Sequence, residues 1–68
     1  MIPLREWLIK ARENANMSKV ELSKAVNLDI SAIGKYERGE RRPSPEKAKE
    51  IAATLGFDWT LFFEDGAQ

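Results

Sequence analysis

The sequence predicts an all-α domain built from five short helices. Apolar residues recur at the three- and four-residue spacing of amphipathic helices along most of the chain. Residues that favour helix starts and helix ends separate these stretches, and no stretch alternates in the manner of a strand. The 68 residues suffice for one small domain, so we expect a single unit over residues 1–68, with an ordered core at about 3–63 and a frayed end at 64–68.

The first helix is predicted to begin at Pro3 and to run through Ala15. Proline suits the first helical position because the N–H that it lacks would have no intrahelical partner there. The inward stripe at helical spacing consists of Leu4, Leu8, Ala11 and Ala15. Trp7 flanks this stripe, and a large aromatic residue mostly serves packing. Residues 14–16, Asn-Ala-Asn, form the first break.

The second helix, residues 18–26, starts with two side chains that can satisfy each other's backbone. The Ser18 hydroxyl can accept the N–H of Glu21, and the Glu21 carboxylate can accept the N–H of Ser18, which together make a capping box. Asn27 follows, and asparagine tolerates the left-handed conformation that ends helices. The pattern therefore indicates both ends of this helix.

The third helix, residues 30–38, is predicted to lie between Asp29 as its cap and Gly39 as its end. The connection at 27–29 has the length of the turn in a helix-turn-helix, whose second helix lies in the major groove of DNA. The residues expected to pack between the two helices are Leu22, Ser23, Val26, Leu28, Ile33 and Tyr36. A generic helical hairpin with the same periodicity remains the alternative.

The fourth helix, residues 45–55, is predicted to follow a loop at 40–44. Ser44 can cap it, Pro45 suits its first position, and Gly56 ends it. Its inward residues are Ala48, Ile51, Ala52 and Leu55.

A short fifth helix is predicted after Asp58 and through Phe63, with Phe57 and Phe62 at staple positions. It carries more bulky apolar side chains than one small core needs. We assign Phe62 and one other of these residues to the core and the rest to a two-fold contact between two copies, for which Trp59, Leu61 and Phe63 are the candidates. The alternative is that all of them cap the core of one protomer.

The composition excludes several classes of function. The chain has no cysteine and no histidine, which rules out disulfides, thiol chemistry and the usual zinc sites. Acid–base catalysis would fall to carboxylates or lysines, and no pair of these occupies a recognisable cleft motif. We therefore expect no enzyme, no cofactor, no metal and no small-molecule ligand.

The hydropathy of the chain favours a cytoplasmic location. No apolar run approaches the length of a membrane span, and the charge of Arg5 comes too early for a secretory signal. We therefore expect no membrane partner.

The charge is balanced overall but unevenly placed. The 11 basic and 11 acidic residues give a net charge of zero, which counts against an indiscriminate nucleic-acid binder. Residues 35–42 nevertheless combine Glu37 and Glu40 with a basic cluster of Lys35, Arg38, Arg41 and Arg42. A charge run is usually only a solvated face, but this one follows the predicted reading helix, where DNA phosphates would lie.

Five short motifs occur along the chain. They are L-x-x-x-R at 8–12, S-K-V-E-L-S at 18–23, Y-E-R-G at 36–39, R-R-P-S at 41–44 and L-G-F-D-W at 55–59. Together they resemble the Cro/CI-type, lambda-repressor-like helix-turn-helix family over about residues 4–63. The resemblance implies a five-helix domain that binds operator DNA as a homodimer and regulates transcription. Many members are phage or prophage repressors, and others are chromosomal regulators or antitoxins.

The resemblance also implies roles by position. Base contacts are implied for the outward face of the helix at 30–38, at Ile30, Ser31, Gly34 and Lys35. Phosphate contacts are implied for Lys19, Arg38, Arg41 and Arg42. A structural ion pair between the first helix and the end of the third is implied for Arg12 and Glu37.

The chemistry of these side chains is uneven. Lys35 can donate to O6 and N7 of guanine, to a phosphate or to water, and Ser31 can bond to several bases. Ile30 can contact only a thymine methyl group, or else it folds back onto its neighbours. Gly34 lowers helix stability by roughly 1 kcal/mol relative to alanine, and it either permits close approach to DNA or is simply tolerated. Glu37 would repel phosphate unless it is paired.

Four positions depart from the family pattern and leave a second function open. Lys19 replaces glutamine, Asn27 replaces the more frequent glycine, and Ile30 with Gly34 makes the reading face sparsely polar. The second function is a protein-binding module on the same scaffold, such as an antirepressor that pairs with a repressor or an antitoxin that covers a toxin. Its sequence feature is Ile30 joined with Tyr36 in an exposed apolar patch.

Overall fold

A computed structural model of the protein describes residues 4–64, which form four α-helices and one 3₁₀ helix. In chain order these are α1 (Glu6–Asn14), α2 (Lys19–Ala25), α3 (Ile30–Glu37), α4 (Pro45–Leu55) and the 3₁₀ helix (Trp59–Phe63). No strand forms in this part of the chain, which confirms the all-helical class. A fifth α-helix is not confirmed, because the segment of 5 residues is wound as a 3₁₀ helix, the tighter form that short pieces favour.

The residues before α1 differ from the inward stripe that the sequence predicts. Because α1 begins at Glu6, Leu4 and Arg5 precede it and do not follow its periodicity. Leu4 is 51% exposed, whereas Arg5 is only 1% exposed. The prediction that Leu4 packs inward is therefore wrong, and Leu8 is the buried residue of α1. The predicted start at Pro3 and the predicted fraying of residues 65–68 lie outside the described residues.

Three of the four predicted helix caps form. Ser18 and Glu21 make both bonds of the capping box, at 2.8 and 3.1 Å. The side chains of Ser44 and Asp58 accept backbone N–H groups at the starts of α4 and the 3₁₀ helix. Asp29 lies at the N-cap position of α3, but its side chain makes no capping bond.

Left-handed residues end the helices where the sequence indicates. They are Asn16, Asn27, Gly39 and Gly56, with φ of 58°, 55°, 74° and 84°. After α3 the N–H of Gly39 donates to the Tyr36 carbonyl and the N–H of Glu40 donates to the Lys35 carbonyl. These two bonds form a Schellman motif, which satisfies carbonyls that would otherwise lack partners and turns the chain into the next loop.

One hydrophobic core holds the helices together. Its fully buried members are Leu8, Leu22, Val26, Ile33, Ala48, Ile51 and Phe62. The ring of Phe62 meets Trp7 edge-on at 5.1 Å and Phe57 at 5.7 Å, and it lies 6.5 Å from the ring of Tyr36. The 3₁₀ helix thereby closes the bundle against α1 and α3, and the predicted contact of Phe57 with Phe62 is confirmed.

Within residues 4–64, no helix combines the length and hydropathy needed to cross a membrane. No group of acidic side chains among them is arranged to hold a metal ion.

Candidate nucleic-acid interface

The inner face of α3 is fixed in the core and its outer face meets solvent. Ile33 and Glu37 lie on the inner face and are 1% and 3% exposed. Ser31 and Lys35, four residues apart, lie on the opposite side of the helix, as its periodicity requires. Ile30 is 43% exposed, so part of its side chain meets solvent. No hydrogen bond engages the Lys35 ammonium group within residues 4–64.

Ser31 is oriented by the residue at the start of its own helix. Its hydroxyl donates to Asp29 Oδ2 at 3.0 Å, which gives the Asp29 carboxylate a partner in place of a backbone N–H. With its proton engaged, the Ser31 hydroxyl offers lone pairs as acceptors. In the major groove, acceptors match the amino groups of adenine N6 and cytosine N4.

Gly34 does not face open solvent, because the Arg38 side chain folds over it. A Cβ atom at Gly34 would lie 2.9 Å from Nη1 of Arg38. Arg38 Nε donates to Glu40 Oε2 at 2.6 Å, and this hydrogen bond raises the pKa of Arg38 and lowers the pKa of Glu40. In the free protein the Arg38 guanidinium therefore lies along α3, with a carboxylate beside it.

Replacement of Gly34 by alanine is expected to raise the free energy of unfolding by about 1 kcal/mol, because a glycine inside a helix costs that much relative to alanine. The one tight contact is with the far end of the Arg38 side chain, which is half exposed and can shift. Thermal denaturation followed by circular dichroism measures the change. Ala32→Gly, in the same helix, is the control and should shift the midpoint in the opposite direction. A lower midpoint for Gly34→Ala would show that Arg38 cannot move.

Glu37 joins three helices at the inner side of α3. Its Oε2 accepts Arg12 Nε at 2.7 Å, and its Oε1 lies 4.0 Å from Lys19 Nζ. Arg12 also donates to the carbonyl of Met17, at 2.9 Å. The negative charge of Glu37 is thus balanced beneath the surface of α3. Lys19, with its side chain 46% exposed, is the member of this group that reaches solvent.

Arg41 and Arg42 lie in the exposed loop between α3 and α4. No hydrogen bond engages the Arg41 guanidinium in the described part of the chain. The Arg42 guanidinium lies over the ring of Phe63, 5.0 Å from its centroid. The loop therefore presents two long cations beside the C-terminal end of α3.

The residues predicted for a two-fold contact differ in their exposure. Phe63 is 37% exposed. Trp59 packs partly on the core, meets Phe63 edge-on at 5.7 Å and lies 4.9 Å from the ammonium of Lys49. Leu61 is half-buried. Phe63 is thus the most exposed of the three, with Arg42 and Trp59 in contact with its ring, whereas Trp59 and Leu61 are half-buried.

Two cations near the interface were missed by sequence reasoning. Arg5 is buried against the C-terminal end of α3, and Lys47 donates to the Val26 carbonyl at 2.8 Å, which satisfies the end of α2 from α4. Helical spacing gave no signal for Arg5, because Arg5 precedes α1 and its carbonyl partners are more than thirty residues away. No local signal existed for Lys47, since its partner is a backbone group distant in sequence.

Comparison with known proteins gives a consistent result. A family model described as helix-turn-helix matches residues 8–62. The chain is 40% identical over 62 residues to an uncharacterized HTH-type transcriptional regulator, YqaF, of Bacillus subtilis (strain 168), which covers 91% of this chain and 82% of that protein. It is 33% identical over 54 residues to an uncharacterized HTH-type transcriptional regulator, y4wC, of Sinorhizobium fredii (strain NBRC 101917 / NGR234). That match covers 79% of this chain but only 38% of y4wC.

Proposed function

Because this chain belongs to the Cro/CI-type helix-turn-helix family of DNA-binding transcriptional regulators, we propose that it binds a specific operator in double-stranded DNA and represses transcription. In this proposal α3 enters the major groove and the protein acts in the cytoplasm without a catalytic step. The resemblance to Cro/CI-type repressors favours repression as the role of this protein and a phage or prophage as its origin.

The observation that carries this proposal is the exposed outer face of α3, followed by a loop with two exposed cations. The inner face of the same helix is fixed by Ile33 and Glu37, so the outer face can dock without disturbing the core. Arg41 and Arg42 lie beside the end of that face, where a phosphate backbone would pass. A run of charge that is only solvated could lie anywhere on the surface, whereas this one lies beside the exposed face of α3.

The proposed readout divides the outer face between bases and phosphates. Lys35 donates to guanine and Ser31 accepts from adenine or cytosine, whereas Ile30 covers a thymine methyl group. Gly34 lets the backbone approach once the Arg38 side chain has moved away from it. Arg41, Arg42, Lys19 and Arg38 are the phosphate contacts. Lys19 and Arg38 lie beside Glu37 and Glu40 in the free protein, so they exchange a carboxylate for a phosphate when DNA binds.

Two copies are proposed to bind one operator. The protein measures 28 × 21 × 20 Å, which is less than the separation of about 34–36 Å between half-sites one helical turn apart. One copy therefore cannot read both half-sites. The exposed ring of Phe63, with Leu61 and Trp59 beside it in the 3₁₀ helix, supports a two-fold contact at this end of the bundle.

The test is a salt titration with duplexes selected from a random pool. For the wild type, the logarithm of the binding constant should fall linearly with the logarithm of potassium chloride concentration. Arg41→Ala combined with Arg42→Ala should reduce that slope by about 1.8, since each phosphate contact contributes about 0.9. The control, Lys10→Ala with Lys24→Ala, removes the same charge elsewhere and should retain the slope. An enriched palindrome would support the two-fold arrangement.

A second candidate function is a protein-binding module, which would take a repressor, antirepressor or toxin as its partner. It is favoured by two large apolar side chains in solvent, Ile30 at 43% and Val20 at 46% exposure. Tyr36 packs against the core instead of extending that apolar surface. Absence of salt-dependent binding to every selected duplex would contradict the DNA-binding proposal and favour this one.

A further inference from the structure

Arg5 is the buried charge for which the proposed readout gives no role. It is 1% exposed, and it is the largest of the fully buried side chains among the described residues. It lies outside the core of apolar residues and precedes α1. Burial of a guanidinium is costly unless its donors are satisfied. Its partners therefore indicate what its burial achieves.

Two carbonyls that accept hydrogen bonds from the Arg5 guanidinium lie on segments of the proposed DNA-binding surface. Nη1 donates to the Tyr36 carbonyl at 2.8 Å and to the Arg41 carbonyl at 2.7 Å. The backbone N–H of Arg5 donates to the Glu37 carbonyl at 2.8 Å. The guanidinium carbon lies 5.3 Å from the centroid of the Phe62 ring. One nitrogen atom thus joins the last turn of α3 to the loop that carries the phosphate-binding cations.

The geometry of this bridge restricts where the loop can lie. Arginine presents its donors in a rigid planar fork, so the two hydrogens of Nη1 fix the directions of both carbonyls. The carbonyls at the end of α3 form the negative end of the helix dipole, which favours a cation there. Because both bonds are charge-assisted and shielded from water, they hold more firmly than neutral bonds at the surface.

We propose that Arg5 is a positioning residue for DNA binding, which sets the loop at residues 40–44 at a fixed distance from α3 so that Arg41 and Arg42 meet phosphates while α3 lies in the groove. This inference rests on the proposed function. Arg5 does not touch DNA, because it is buried. It acts on binding through its hydrogen bond to the Arg41 carbonyl, so a residue that precedes α1 influences phosphate binding.

Replacement of Arg5 by lysine tests this role, since lysine keeps the charge but lacks the planar fork. Binding is measured by the same salt titration, at a temperature where circular dichroism shows the variant folded. The slope should fall by at least about 0.9, equivalent to one lost phosphate contact. In a background that already carries Arg41→Ala and Arg42→Ala, Arg5→Lys should cause no further change of slope.

A role in stability alone gives a different result. Ile51→Val removes a methyl group from the core in α4 and is the control for destabilisation, so it should leave the slope at the wild-type value. An Arg5→Lys slope equal to that of the wild type would overturn this inference alone. Failure of the wild type to bind any duplex in a salt-dependent manner would overturn the proposed function as well.

A measurement on the wild type keeps the inference testable should Arg5→Lys not fold. Nuclear magnetic resonance can detect the coupling across the hydrogen bond from Arg5 Nη1 to the Arg41 carbonyl, with and without the selected duplex. The inference requires this bond to persist in the complex. Its loss on DNA binding would show that the loop is positioned by DNA instead of by Arg5.

Discussion

Replacement of Glu37 by alanine is expected to lower the free energy of unfolding by about 3–5 kcal/mol, the usual cost of removing one partner from a buried ion pair. Glu37 is 3% exposed and accepts a hydrogen bond from Arg12, which itself has only 12% of its side chain exposed. Without the carboxylate, the Arg12 guanidinium is left under the surface with its charge unbalanced. Small domains are stable by only about 5–15 kcal/mol, so this variant should be close to unfolding in the absence of urea.

Urea denaturation of Glu37→Ala and Glu40→Ala distinguishes the effect of burial on stability from the effect of ion pairing alone. Both glutamates accept an arginine Nε at 2.6–2.7 Å, but Glu40 and Arg38 lie at the surface. Glu40→Ala should therefore change the urea midpoint little, because exposed pairs contribute weakly. The double variant Arg12→Leu with Glu37→Leu should lose less stability than the sum of its single changes. Equal losses for Glu37→Ala and Glu40→Ala would contradict this account.

Replacement of Phe62 by alanine is expected to lower the free energy of unfolding by about 3–5 kcal/mol, as for other buried phenylalanines. Its ring is fully buried and meets three other aromatic rings and the Arg5 guanidinium. The cavity would open where the 3₁₀ helix closes the bundle, so that helix should detach first. Thermal and urea denaturation with tryptophan fluorescence would report the loss, because Trp7 packs on this ring.

The adjacent residue provides the matched control. Phe63 has the same side chain but is 37% exposed, so Phe63→Ala should cost about 1 kcal/mol or less, including its contact with Arg42. Light scattering in the presence of DNA should instead show weaker pairing of two copies for Phe63→Ala. A large loss of stability from Phe63→Ala, with an unchanged assembly, would place Phe63 in the core of one protomer and remove it from the two-fold contact.

The fold was predictable from sequence where the signals are local. The capping box at Ser18 and Glu21, and the left-handed residues Asn27, Gly39 and Gly56, act within a few residues of themselves. Their backbone preferences are therefore visible in the chain. The placement of Leu4 was not predictable in the same way, because it depends on where α1 begins.

The interface was less predictable from sequence than the fold, since several of its contacts join distant segments. The exposed face of α3 follows from periodicity alone, which buries Ile33 and leaves Ser31 outside. The cover that Arg38 provides for Gly34 depends on the conformation of a long side chain, and the burial of Arg5 depends on two backbone carbonyls more than thirty residues away. Residue type and spacing contain no direct information on such contacts.

The pair of Arg38 and Glu40 has a consequence for the response of the protein to acidity. Its hydrogen bond raises the pKa of the guanidinium and lowers the pKa of the carboxyl, so both shifts move away from neutrality. The pair loses its negative charge only when the pH falls through the lowered pKa of Glu40, while Arg38 stays charged, and with no histidine in the chain no imidazole titrates nearer to neutrality. Changes of pH near neutrality should therefore leave the charges of this pair constant, and ionic strength becomes the variable to which the pair responds.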